Sequence, residues 1–254
     1  MVAKVPQVTL LFWIIKILAT TLGETGGDAV TMSWLGETTA EANGSGYLIG
    51  TAIFGVIFFV AVLVQISARN FHPFLYWLTI VATTTVGTTL ADYCTRSLGI
   101  GYTGGSTILL VLVIASLVIW RWSTGSISID TVNTPKVEIF YWLTIMFSQT
   151  LGTALGDWVA DTNKMGYVGA AAVFGGLLLL TAILYYATHI SRALLFWSAF
   201  ILTRPLGAVV GDFLDKPIAQ GGLHLSRYTA SLALLVVIVL LIVIFPQKPA
   251  VKAH

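Results

Sequence analysis

The sequence predicts an all-α polytopic membrane protein of eight transmembrane helices, built as four parallel two-helix repeats. Three observations carry that prediction. The 254 residues are 57% hydrophobic and only 9% charged, whereas about a quarter of a soluble domain is charged, and the mean hydropathy is +0.89. Eight segments, residues 8–30, 47–67, 74–96, 104–121, 137–160, 167–188, 194–213 and 226–245, approach the roughly 20 mostly apolar residues that a helix needs to cross the hydrocarbon. An aromatic–Trp pair occurs four times, as Phe12–Trp13, Tyr76–Trp77, Tyr141–Trp142 and Phe196–Trp197. A Gly follows ten residues after each Trp (Gly23, Gly87, Gly152, Gly207) and an Asp fifteen after it (Asp28, Asp92, Asp157, Asp212). Spacing kept through four copies marks internal repeats, here 8–72, 73–135, 136–192 and 193–246 of one transmembrane domain covering 1–254.

The first span follows MVAKVPQ, which superficially resembles the start of a signal peptide. Because the apolar run behind it carries the first copy of the repeat, it reads as a retained span. It holds Lys16, Glu24 and Asp28. Its outgoing connection is the long one: Asp28 to Gly46 is eighteen residues, against nine for Asp92 to Gly101, Asp157 to Gly166 and Asp212 to Gly221. The insertion, within 33–45, brings Glu37 and Glu41, which read as ordinary acids of a solvated loop, with an ion-attracting vestibule as the other option. The even-numbered spans, such as 48–65 and 228–245, are almost purely apolar and are expected to form much of the lipid-facing wall. The third span carries Asp92 and, near its end, the single Cys94. One Cys makes neither an internal disulfide nor a thiolate cage, so it reads as a small buried hydrophobe. The fifth span carries Asp157 with Asp161 one turn further on. The seventh combines Arg204, Pro205 and Asp212, and its proline makes it the span most expected to kink or unwind.

Two spans return the chain to its starting side, so all four repeats enter the membrane in the same orientation. That is the parallel class of repeat, related by an axis along the membrane normal, and it implies a pseudo-fourfold ring or two pseudo-twofold halves. Short connections on the side of the termini carry Lys4, Arg69, Arg121, Lys136, Arg192, Lys248 and Lys252; those on the other side carry Arg96, Lys164, Lys216 and Arg227. This bias places both termini in the cytoplasm. Each Trp then lies at the cytoplasmic interface, and each Asp about 22 Å further along its helix at 1.5 Å per residue.

Projected at 100° per residue, positions 7, 8, 11 and 15 after the Trp share an arc of about 100°. They are Thr20, Thr21, Glu24 and Asp28; Thr84, Thr85, Thr88 and Asp92; Gln149, Thr150, Thr153 and Asp157; and Arg204, Pro205, Ala208 and Asp212. Four such stripes are hidden from lipid only by facing one another. The threonines either bond their own backbone and glue helices or contact a ligand. The repeated Gly either permits close packing or marks unwinding that frees carbonyls for a cation. The carboxylates are either helix-end residues at the outer interface or, as intramembrane acids imply, a functional site.

Lys16 and Arg204 are expected to pair with carboxylates, Arg204 sharing a face with Asp212. Four Asp plus Glu24 against these two bases leave an excess of about three negative charges if all are ionised, which is costly without a counter-charge. Protons or bound cations are the available remedies. Oxygen ligands suit hard divalent ions such as Mg, Ca or Mn. The candidate cation and proton site is therefore Asp28, Asp92, Asp157, Asp212 and Glu24, supported by Thr21, Thr85, Thr88, Thr150, Thr153 and Gln149, with Lys16 and Arg204 as charge partners. His72, His189 and His224 lie in or near connections and His254 ends the chain, so they read as solvated. A net charge near +2 argues against nucleic acid, and no covalent cofactor is expected. The function these residues suggest is proton-coupled transport of a divalent metal cation, not an enzyme. The alternatives are an intramembrane enzyme acting on a lipid or quinone, or a scaffold or sensor whose acids are permanently paired.

The four units, with Trp13, Trp77, Trp142 and Trp197 and their Gly and Asp partners, resemble a family of bacterial membrane proteins made of tandem two-span repeats of unknown function. That resemblance spans essentially the whole chain and implies an eight-span protein of the bacterial cytoplasmic membrane, surrounded by lipid. A weaker resemblance is to cation/proton exchangers with a repeated Glu-x-Gly-Asp motif. Here Glu24-Thr25-Gly26-Gly27-Asp28 is one residue longer, and Leu155-Gly156-Asp157 and Val210-Gly211-Asp212 lack the Glu.

Overall fold

The computed structural model describes residues 3–251; Lys252 and His254 lie outside the described residues. Eight α-helices run in order: α1 (Leu10–Asp28), α2 (Ser45–Ser67), α3 (Pro73–Asp92), α4 (Gly101–Thr124), α5 (Pro135–Asp157), α6 (Gly166–Ala187), α7 (Arg192–Asp215) and α8 (Arg227–Ile244). Among the described residues the only β pairing is an isolated bridge between Pro6 and Pro249. Seven helices are long and apolar enough to cross a membrane. The one that falls short is α5, whose apolar run is interrupted by Thr144, Ser148, Gln149, Thr150 and Thr153. The chain is a membrane protein with internal repeats.

Local chemistry explains where helices begin. Thr9 Oγ1 accepts the N–H of Phe12 at the start of α1, and Pro73 and Pro135 open α3 and α5, where a missing N–H costs nothing. Glu37, in the inserted loop, accepts the N–H groups of Gly44 (3.0 Å) and Gly46 (2.5 Å) at the start of α2. It therefore serves as a helix-terminal cap, where a negative charge is favourable, and is not a free surface acid. Glu41 is exposed.

The odd-numbered helices form the inside. α1 and α5 each pack on both α3 and α7, closing a four-helix ring, while α2 lies on α3, α4 on α5, α6 on α7 and α8 on α1. The main packing of each outer helix is thus on the inner helix of the following repeat, and its own hairpin partner is a minor contact. One repeat cannot cover its own inner face, so burial comes from the neighbour. The outer helices expose Val56, Phe59, Val111, Leu179, Leu232 and Val243, as a lipid-facing wall requires.

At the ring interfaces the repeated Gly is a packing device. A Cβ on Gly23 would lie 2.0 Å from Thr84 Oγ1, on Gly87 3.0 Å from Gln149 Cβ, on Gly152 2.2 Å from Arg204 Cγ and on Gly207 2.1 Å from Thr20 Oγ1. Each Gly meets the residue seven after the Trp of the next helix, and the fourth returns to the first. Equivalent positions touch at every interface, so the four inner helices run in the same direction. The α-helix continues unbroken through all four glycines and through Pro205, so the unwinding expected there is absent. Side-chain-free contact between backbones is what the glycines supply.

The Trp end is closed by rings. Phe12 packs on Trp77 (centroids 5.4 Å apart), Tyr76 on Trp142 (5.8 Å), Tyr141 on Trp197 (6.0 Å) and Phe196 on Trp13 (5.8 Å). Tyr76 and Tyr141 share a hydroxyl–hydroxyl hydrogen bond of 2.6 Å. Trp77, Trp142 and Trp197 are almost completely buried, so they hold helices together and do not face lipid. Segments near both termini strap this end: Gln7 N–H donates to the Lys248 carbonyl, Ala250 N–H to that of Val5, and Trp77 Nε1 to Gln247 Oε1. Lys4 reaches across to Glu138 at 2.7 Å.

Candidate functional site

The opposite end of the ring gathers the charges. α1, α3 and α5 each finish on their Asp, and the chain then widens into a π-helical turn, over Ala29–Trp34, Tyr93–Ser97 and Trp158–Thr162. Such widenings recur at functional sites because they re-aim side chains and loosen the backbone ladder. The exception is α7, which stays α-helical to Asp215 and turns extended at Lys216. The acids are thus delivered at the last regular turn of each inner helix, on its inward stripe. Asp28, Asp92, Asp157, Asp212 and Glu24 are each no more than 3% exposed.

Two pairs form. Arg96 joins α3 to α5, with Nε 2.9 Å from Asp92 Oδ1 and Nη2 3.2 Å from Asp157 Oδ2. Lys216 joins α7 to α1, with Nζ 3.0 Å from Asp212 Oδ1 and 2.5 Å from Asp28 Oδ2. Asp215 adds a sixth carboxylate: Arg227 Nε lies 3.1 Å from its Oδ2, while its Oδ1 has no hydrogen-bond partner and sits 3.9 Å from Lys216 Nζ. Carboxylate oxygens of Glu24, Asp28 and Asp212 all fall within 4.8 Å of one another, close enough for one cation to draw on three of them.

One layer deeper, Arg204 pairs with Glu24, both Nη atoms lying 3.0 Å from Oε2. This corrects the expected partnership with Asp212: the residue at position 7 of one repeat abuts the preceding helix and points across the ring. Arg204 Nη2 also donates to Thr88 Oγ1 (2.6 Å) and Thr153 Oγ1 (2.5 Å). The threonine stripe consequently divides. Thr88 and Thr153 belong to the site, whereas the hydroxyls of Thr21, Thr85 and Thr150 donate to carbonyls one turn back in their own helices. Gln149 is completely buried, and neither its oxygen nor its nitrogen has a hydrogen-bond partner.

Lys16 does not find the carboxylate expected for it. Its Nζ is fully buried without a hydrogen-bond partner and lies 4.1 Å above the centroid of the Phe200 ring, a cation–π contact. Asp161, one turn past Asp157, is exposed, as are His72, His189 and His224, and Cys94 is half-buried.

The bases missed in the sequence are Arg96, Lys216 and Arg227, which counted there as loop charges. The six buried carboxylates face four bases within 4.0 Å; with Lys16 counted as it was in the expectation, the formal excess of negative charge is one, against the three expected. A signal was present: a base stands four residues after the Asp in repeats two and four (Arg96, Lys216), where Met32 and Asp161 stand in repeats one and three. Such i,i+4 neighbours share a helix face. The alternation splits a fourfold arrangement into two unlike pairs.

A family model described as Repeat of Unknown Function (DUF347) matches the chain four times, over residues 11–71, 75–126, 140–191 and 195–246. Comparison with curated proteins and with solved structures gave no match.

Proposed function

The chain belongs to this family of repeats of unknown function, and we propose that it is a membrane transporter for a small cation, a divalent metal ion in the first instance, with proton exchange restoring charge when the ion leaves. In this reading the repeats are parallel about an axis along the membrane normal. All eight helices span, α5 being sheltered by its neighbours, and both termini lie on the cytoplasmic side of a bacterial inner membrane. The observation that carries the proposal is the convergence of six buried carboxylates from α1, α3, α5 and α7 on one end of the ring. Buried acids at bilayer depth are expensive, and they persist where an ion or proton passes. Glu24, Asp28 and Asp212 supply oxygen ligands of the kind hard divalent ions take, and Thr88 and Thr153 add hydroxyls beneath them. Entry from the Asp end passes Arg96, whose side chain is 32% exposed.

One observation favours a second reading, a non-transporting scaffold or sensor: every one of these carboxylates has a protein base within 4.0 Å. Purified protein in proteoliposomes separates the two. Transport predicts manganese flux that responds to a pH gradient and is abolished by Asp157→Asn in a folded protein. Absence of flux in the wild type, or undiminished flux in the variant, defeats the transporter reading.

A further inference from the structure

Lys216 occupies a peculiar place for a structural ion-pair residue. Its ammonium stands between Asp28 Oδ2 at 2.5 Å and Asp212 Oδ1 at 3.0 Å, with Met32 Sδ at 3.5 Å. Those two acids, with Glu24, are the cluster whose oxygens approach within 4.8 Å, so the side chain fills the position a bound cation would take. Two further observations say that it can leave. Asp215 Oδ1 is buried, unpartnered and 3.9 Å from Nζ, an open acceptor adjacent to the present one. Asp28 Oδ1 is likewise buried without a partner, so the Asp28 carboxylate has capacity that Lys216 leaves unused.

The backbone beneath is fixed. Lys216 N–H donates to the Asp212 carbonyl and the Lys216 carbonyl accepts the N–H of His224, both at 2.9 Å. Only the flexible four-carbon stem has to move.

We infer that Lys216 is a tethered stand-in for the transported cation. Its ammonium holds the Asp28–Asp212 pair when no ion is bound and shifts to Asp215 when one is. The inference rests on the transporter reading and adds its regulation. An incoming ion has to outcompete a built-in one, so the site never presents two naked carboxylates to the other, and a divalent ion, with twice the charge, displaces the ammonium where a monovalent one does not.

The test is Mn²⁺ binding to the detergent-purified full-length protein, followed by the loss of the free-ion electron paramagnetic resonance signal. Lys216→Met, which keeps the stem and removes the charge, is expected to bind Mn²⁺ about tenfold or more tightly than wild type, and adding Asp28→Asn is expected to cancel the gain. Asp215→Asn weakens the parking place without vacating the site, and its expected effect is the reverse, a several-fold loss of affinity; it stands in if Lys216→Met does not fold. Wild-type binding and flux with both variants unchanged in affinity overturn the stand-in role and leave transport intact. No binding by wild type or by folded Lys216→Met overturns both.

Discussion

At the Trp end of the ring, Phe12, Tyr76, Tyr141 and Phe196 each pack on the Trp of a neighbouring inner helix, and the four contacts are near copies of one another. At the Asp end the same four helices present one acid each, yet Arg96 and Lys216 tie them into two unlike pairs and Glu24–Arg204 adds a charge pair that no other interface has. The aromatic end keeps the repeat symmetry because large ring surfaces bury well in any of the four positions. The charged end breaks it because like charges cannot occupy equivalent buried positions without a base between them. Packing and charge are therefore divided along the length of each inner helix, with the glycine interfaces holding the middle.

The largest effect that can break this division lies in the deep pair. Arg204→Met leaves Glu24 buried without its base and is expected to cost about 3–5 kcal/mol of stability, with Glu24→Gln in the same chain recovering most of it. Thermal unfolding in detergent checks both. Equal losses in the single and double variants would mean that Arg204 acts through packing on Gly152 and not through charge.

Next comes the shared middle. Gly207→Ala drives a methyl group to within 2.5 Å of Thr20 Cβ and 2.9 Å of its backbone carbon, and overpacking of this kind costs about 1–3 kcal/mol. Gly175→Ala, on α6 with nothing within 4 Å of the new carbon, is the control and should be neutral or stabilising by up to about 1 kcal/mol. If the two alanines shift the melting temperature alike, the ring interfaces are looser than the contacts imply.

The smallest expected effect belongs to the Trp end. Tyr76→Phe removes the hydroxyl bonded to Tyr141 and leaves one buried donor unmet, a cost of about 1–2 kcal/mol. Cation flux should be unaltered once the protein is folded. A flux defect in that variant would place the pathway through the aromatic end and dissolve the contrast between the two ends.

The repeat, the spans and the buried acids are legible in the sequence because each depends on spacing along one helix, and spacing along a helix is what a sequence records. The partners are not, because they depend on which neighbour an inner helix meets. Arg204 and Asp212 share a face of α7, yet each Gly docks on position 7 of the next helix, which turns Arg204 toward Glu24. Nor does hairpin connectivity reveal that α2 covers α3. Lys216 and Arg96 looked like loop charges because the apolar count ends at the Asp, while the π-turn after Asp92 and the last α-turn of α7 carry the helix on far enough to fold those bases back. Lys16 shows the opposite failure: a charge that ought to have a carboxylate lies over Phe200 instead.

The central claim, that the Asp end handles the ion and the Trp end holds the ring, is tested most directly by manganese uptake into proteoliposomes containing wild type, Asp28→Asn or Tyr76→Phe at matched protein content. The account predicts uptake by wild type and Tyr76→Phe and none by folded Asp28→Asn. Uptake by Asp28→Asn at the wild-type rate would contradict it.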